Sequence, residues 1–316
     1  MPEEKLKGVM AKIALMVLAL AVLVACQPPG QAAQSDGAKT PLKVIAAESF
    51  LADIAQNVAG DRMKVEVLMP IGVDPHTFEP TPADVAKVAD SDVLIVNGAG
   101  LEGFLDKLLQ NAGGQHHRIE ASAGLTARRL HEGEMAGPDH VGDPHFWLDP
   151  NNVIKYVENI RDGLSQVDPD GAATYQANAD AYSAKLKDVD RWIADRVNAV
   201  PEADRLLVTN HDNFGYFADR YGFKIIGTVV PSVSTDSAPS AQQLAELIDR
   251  IKATHAKAIF LERGINPQLA EQVAKETGSQ VLTDLYGDSL GDAHSPASTY
   301  IDMLKFDTDT IVAALQ

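Results

Sequence analysis

Among 316 residues there is one cysteine. A single thiol makes no internal disulfide and excludes every zinc site built from paired cysteines. Aromatic residues are also scarce, at 6%, and basic side chains are outnumbered 27 to 44, which leaves a net charge of −17 with His neutral. Such a surface repels phosphate backbones, so no nucleic-acid partner is expected. The one long apolar run, Ile13 to Ala25, has 13 residues, too short for a helix that crosses a bilayer, which needs about 20. No HExxH string is present, so the helix of a common zinc hydrolase class is missing. The remaining composition is ordinary, which rules out collagen, coiled coil and wholly disordered chains. At roughly 150 residues per domain the length suggests about two domains.

The short apolar run is preceded by Lys5, Lys7 and Lys12 and ends in Leu23-Val24-Ala25-Cys26. Basic residues, a short apolar stretch and small residues read as an export signal. Its end resembles a bacterial lipoprotein lipobox, in which the Cys is lipidated and becomes the mature N-terminus. A buried core Cys after an ordinary signal is the alternative, and Met10 is an alternative start. Residues 27–41 contain no large apolar side chain and read as a flexible tether. The expected location is extracytoplasmic, lipid-anchored to a bacterial membrane on the periplasmic side or at the cell surface.

From Leu42 onward short apolar segments alternate with helical ones: LKVIAA, MKVEVLM, DVLIVNG, then RLLVTN, FKIIGTVV, AKAIFLE and SQVLTDL. This rhythm predicts an α/β fold of mainly parallel sheets flanked by helices. Between the two groups, Ala172 to Val200 contains neither Gly nor Pro. Tyr175, Ala179, Tyr182, Leu186, Val189, Ile193, Val197 and Val200 recur at three- and four-residue steps, as on one long amphipathic helix. Pro169 and Pro201 punctuate it. The sequence therefore divides into a signal (1–25), a lipidated Cys with its tether (26–41), a first lobe (42–171), a linker helix (172–202) and a second lobe (203–316).

Two of the nine histidines share a tripeptide, Asp74-Pro75-His76 and Asp143-Pro144-His145. An aspartate two residues upstream can accept a proton from the ring nitrogen turned away from a ligand, which sets the tautomer of a metal-binding imidazole. Two surface-loop histidines are the other reading. His211 directly follows the strand LLVTN, and Asp288 follows SQVLTDL. The C-terminal ends of parallel strands are where open α/β sheets hold ligands, although a helix-cap neighbour and a turn former would look the same. Glu262 ends the strand AIFLE, where it either faces the cleft or simply terminates the strand. Phe146 and Trp147 are expected to pack behind His145, and His116 and His117 to lie on the surface.

The blocks GVDPHTFEPTPADV, DPHFWLDP, TNHDNFGYFADRYG, IFLERGINP and LYGDSLG, in this order, resemble the metal-binding solute-binding lipoproteins of bacterial zinc and manganese ABC importers. The resemblance covers about Leu42 to Gln316. It implies one divalent metal held between two lobes by His76, His145, His211 and Asp288; Asp74, Asp143 and Glu262 are the candidates to stand behind these ligands. It also implies an ABC permease as partner, a monomer as delivery vehicle, and a long helix that restricts hinge motion. Manganese members typically carry a carboxylate at the third position, where this chain has His211. Three imidazoles and one carboxylate suit Zn²⁺, whereas Mn²⁺ prefers more oxygen donors. Zinc is therefore the expected cargo, with manganese the alternative. The loop before the second ligand is short, but His131, Glu132, Glu134, Asp139, His140 and Asp143 offer weak metal capture or a solvated acidic loop. The chain is not expected to be an enzyme, since four protein ligands leave little room for an activated water. A surface adhesin role in cell adhesion and a secreted zinc hydrolase are the remote alternatives.

Overall fold

The apolar segments assemble into two sheets of one design. A computed structural model describes residues 42–129, 142–235 and 237–316. The export segment, Cys26, the tether, and His131, Glu132, Glu134, Asp139 and His140 lie outside the described residues. The first sheet is built from β1 (Val44–Ala46), β2 (Val65–Val67), β3 (Val93–Val96) and β4 (His117–Glu120), with helices α1 (Ser49–Ala59), α2 (Pro82–Ala89) and α3 (Leu105–Ala112) between them. Its order is β2-β1-β3-β4, and every pairing is parallel. Helices α4 (Pro150–Val167) and α5 (Ala172–Val197) follow. The second sheet contains β5 (Leu206–Thr209), β6 (Lys224–Thr228), β7 (Ala258–Glu262) and β8 (Gln280–Leu285). Its helices are α6 (Gly215–Tyr221), α7 (Ala241–Thr254), α8 (Gln268–Thr277) and the terminal α9 (Tyr300–Leu315). The order β6-β5-β7-β8, again all parallel, repeats that of the first sheet.

Strands β1, β3 and β7 are buried along their whole length, as strands covered by helices on both faces must be. Each sheet sends its chain first to one side and then to the other, so a crevice opens beyond the C-terminal ends of β1 and β3, and of β5 and β7. The loop from β2 that carries His76 ends at a capping box. Thr81 and Asp84 satisfy each other's backbone N–H groups, and Pro82 opens the helix. This chemistry fixes where the loop stops and α2 begins.

Helix α5 buries Tyr175, Ala179, Tyr182, Leu186, Val189, Ile193 and Val197, the stripe expected from the periodicity except Val200, which is buried just beyond the helix end. It packs against α4 and α1 from the first half of the chain and against α9 from the second. One apolar core runs through both halves, from Val44 and Phe50 through Trp147 and Tyr156 to Leu207, Phe217 and Tyr300. Smaller clusters lie on the outer face of each sheet, one around Leu94 and Leu105, the other around Leu247 and Ile259. Leu42–Gln316 is accordingly one compact unit.

Trp147 is central to this core. It is fully buried, stacks on Phe50 with ring centroids 4.3 Å apart, and donates from Nε1 to the Gly287 carbonyl at 2.8 Å. Its own carbonyl accepts from the Tyr300 hydroxyl. One side chain thus joins β-sheet loops from both halves. Trp147→Ala is expected to cost about 3–5 kcal/mol, the range for emptying a large aromatic site. Trp147→Phe keeps the ring contact and loses one hydrogen bond, so it should cost about 1–3 kcal/mol for the carbonyl left unpaired. Urea unfolding of the metal-free protein measures both.

Candidate metal centre

Four side chains from four separate loops meet in the crevice. His76 comes from the β2–α2 loop, and His145 precedes the short helical turn Phe146–Leu148. His211 lies just beyond β5, and Asp288 just beyond β8. One ligand atom from each lies within 4.8 Å of those of the other three. The Nε2 atoms of His76 and His145 are 3.2 Å apart, and those of His145 and His211 3.3 Å. Asp288 Oδ2 lies 3.3 Å from His211 Nε2 and 3.7 Å from His76 Nε2, and its Oδ1 is 4.0 Å from His145 Nε2. The three imidazole side chains are 0–1% exposed and Asp288 5%.

The groups behind the cluster orient it. Asp143 Oδ1 accepts from both the His145 backbone N–H, at 2.9 Å, and the ring Nδ1, at 2.8 Å, which turns Nε2 toward the cluster. In the first tripeptide Asp74 accepts from the His76 backbone N–H at 2.9 Å, and its other oxygen accepts from the Thr235 hydroxyl. Two identical tripeptides therefore use the aspartate differently. Glu262 Oε1 lies 3.1 Å from His211 Nδ1 and accepts from Asn213 at 2.9 Å. Its Oε2 accepts from the Asp288 backbone N–H at 3.2 Å. Gly287 stands in this corner because a Cβ there would come within 2.6 Å of Asn213 Nδ2 and 3.0 Å of the Glu262 carboxylate.

Electrostatics tie the groups together. Burial opposes charge on Asp288, but His211, His145 and His76 outweigh it and hold the carboxyl well below its usual range. Burial likewise opposes charge on His211, yet Asp288 and Glu262 push this imidazole well above its ordinary value. Glu262 and Asp74 are both raised, first by burial and then by the neighbouring Asp288.

Several groups carry no sequence signal. The Arg128 guanidinium lies 3.1 Å from Asp143, 3.6 Å from Asp212 and 3.2 Å from Asp219. It thereby balances carboxylates beside both His145 and His211. It also passes over Gly215, where a Cβ would be 1.9 Å from its Nη1. Asn97, fully buried after β3, donates to the Pro144 carbonyl at 3.1 Å and accepts from the Tyr156 hydroxyl. Glu48, after β1, is buried beside Glu102, and burial and that neighbour push its carboxyl well up. Only the fold brings these positions together.

The pattern Gly287-Asp288-Ser289-Leu290-Gly291 matches the GxSxG string of a nucleophile elbow. Ser289 does not sit on a strand-to-helix turn. Its hydroxyl accepts from the Gly72 N–H at 2.8 Å and hydrogen-bonds Ser49 at 3.2 Å. These partners tie the two halves together and offer no base.

Trp147 packs behind His145 with ring centroids 5.1 Å apart, and Phe146 lies against Tyr216. His116 bonds the carbonyls of Ser91 and Gly113 with its two ring nitrogens, and His117 opens β4. His255 caps α7 in a left-handed conformation, and His294 is exposed in a loop. None of these four belongs to the cluster.

The family model described as zinc-uptake complex component A, periplasmic, matches residues 44–314. The chain is 36% identical over 310 residues to the manganese-binding lipoprotein MntA of Halalkalibacterium halodurans, covering 98% of this chain and 99% of that one. It is 34% identical to the iron-binding protein YfeA of Yersinia pestis, over 93% of each. Among solved structures, the periplasmic zinc-binding protein TroA of Treponema pallidum superimposes with a TM-score of 0.79 at 28% identity, covering 87% of this chain and 99% of that one. The chain belongs to the zinc-uptake complex component A family, the solute-binding proteins of metal ABC transporters.

Proposed function

We propose that this protein captures Zn²⁺ outside the cytoplasm with His76, His145, His211 and Asp288 and delivers it to the permease of an ABC importer. The convergence of the three Nε2 atoms with one carboxylate carries this reading. A tetrahedral zinc with ligand distances of about 2.0–2.1 Å has edges of roughly 3.3–3.4 Å. Three of the edges here are 3.2, 3.3 and 3.3 Å, while those from Asp288 to His76 and His145 are longer, at 3.7 and 4.0 Å. Asp74, Asp143 and Glu262 serve as the supporting groups, Asp143 and Glu262 through the ring nitrogens they face. Residues 42–171 and 203–316 act as the two lobes, with 172–202 as the rigid link. Cys26 carries the lipid that keeps the monomer near its permease. Among the described residues no helix is long and apolar enough to cross a membrane, which is compatible with such an anchor.

A manganese cargo is the second reading. It is favoured by the 36% identical relative, whose name is that of a manganese-binding lipoprotein. Competitive titration of the purified full chain with Zn²⁺ against Mn²⁺ separates the two. One zinc held per chain and not displaced by excess manganese supports zinc supply, whereas preferential manganese moves the same ligand set to manganese supply. Absence of any stoichiometric metal would refute both.

Metal should also stabilise the fold. A ligand that binds only the native state at about a thousand times its Kd adds about 4 kcal/mol, which corresponds to a rise of roughly 8–16 °C in Tm for a chain of this size class. Differential scanning calorimetry with and without metal measures the shift, and an unchanged transition would count against a tight site.

A further inference from the structure

The four clustered side chains differ in what they can reach. A cavity of about 410 Å³ opens between the β2–α2 loop and the loops that follow β7 and β8, and of the four only Asp288 borders it. The three imidazoles do not line it, and their side chains are buried to within 1% of completely. Glu262 and Asp74 border the same cavity, and the exposed Asp292 forms part of its rim. Asp292 is exposed, and one of its carboxylate oxygens accepts from the His294 N–H at 2.8 Å. The Arg263 guanidinium also borders the cavity. It lies 5.2 Å from the centre of the Tyr286 ring and 3.6 Å from Asp284, with more than half of its side chain in water. Ile71, half exposed, also borders the cavity.

We infer that the metal ion enters along this cavity and meets Asp288 before it meets any imidazole. The inference rests on the reading of the cluster as the metal site. Its physical basis is the kinetics of a hydrated cation. The aqua ion is too bulky to pass between buried rings, so it exchanges its first water at a carboxylate on the cavity wall. Of the four clustered side chains Asp288 is the one there, 5% exposed, and its buried Oδ1 has no hydrogen-bond partner among the described residues. Its backbone is pinned while the side chain stands at the cavity wall. The N–H groups of Tyr286, Asp288 and Leu290 donate to Asp307, Glu262 and Ser49, and the Gly287 carbonyl accepts from Trp147. The imidazoles then replace further waters from within. Charges on the rim act on this path as long-range steering, so they change the rate of approach, and the affinity by about the same factor, without touching the bound ion.

The two rim residues give the test. Association and dissociation rates of Zn²⁺ are measured by stopped flow on the full chain, at low and high ionic strength, after equilibrium binding has been established for the unaltered protein. Asp292→Lys should slow association roughly three- to tenfold at low salt, and Arg263→Glu should accelerate it by a similar factor. Both effects should shrink at high salt, and dissociation should change by less than about twofold. Asp188→Lys, beside a different surface groove, is the control for overall charge and should leave association nearly unchanged. Rim variants that do not alter association, or an Asp188→Lys effect as large as that of Asp292→Lys, would overturn this route. Failure of the unaltered protein to bind any metal would instead refute the assignment of the site, so the two failures are distinct.

Discussion

His145→Ala should weaken zinc binding more than a hundredfold, while His117→Ala leaves it within error. His145 is fully buried, its Nε2 is the shared neighbour of the other two imidazoles, and its Nδ1 is held by Asp143. Removing the ring deletes a ligand and also leaves Asp143 without one of its two hydrogen-bond donors from residue 145. Loss of a group that only supports a ligand typically reduces metal affinity 10- to 100-fold, and loss of the ligand itself should exceed that. Asp143→Asn supplies the internal scale, with an expected loss of about 10- to 100-fold. His117 opens β4 in register with Val93 and has no part in the cluster. Competition against a chromophoric chelator reads all three variants. Equal losses for His145→Ala and His117→Ala would remove the assignment.

Acidification should release the metal over an unusually high pH window. An imidazole must be neutral to coordinate, so every proton taken up by the free site competes with the ion, and affinity falls as pH falls. For an ordinary imidazole the competition sets in near pH 6.5. In the metal-free protein burial would lower the His211 value, but Asp288 and Glu262 raise it well above the ordinary one. Proton competition at His211 therefore begins on the alkaline side of that point. With three imidazoles involved, zinc affinity should drop roughly a hundred- to a thousandfold between about pH 7.5 and pH 5.5. Glu262→Gln removes one of the charges that raise His211 and should move the onset of the loss to lower pH. Titrations at a series of pH values check the slope and the onset, and a flat profile would refute imidazole coordination.

Much of this architecture is legible in the sequence because it rests on local patterns. The apolar segments become strands, and the stripe from Tyr175 to Val197 becomes the buried face of α5. The paired tripeptides and the strand-end positions of His211 and Asp288 point to residues that the fold then places within one cluster. Arg128 is illegible for a physical reason. Its partners Asp143, Asp212 and Asp219 are 15, 84 and 91 positions further along the chain, and no periodicity links an arginine to them. The same holds for Asn97, which reaches Pro144 from another loop. The unlike roles of Asp74 and Asp143 are equally hidden, because identical tripeptides leave the direction of the ring undetermined. The choice of metal is the finest distinction, and neither the paired tripeptides nor the strand-end positions carry it.

The shared core has a consequence for how the molecule responds to stress. Trp147, Tyr156 and Tyr300 belong to the same apolar cluster as residues of both sheets, and α5 lies against helices from each half. Opening either half thus exposes apolar surface belonging to the other. The two sheets should therefore fail cooperatively, as a single thermodynamic unit, although the strand order is repeated. A disturbance at the ion would then be felt by the whole body at once. In such a cooperative unit no half-unfolded form with an exposed core accumulates for proteases to cut.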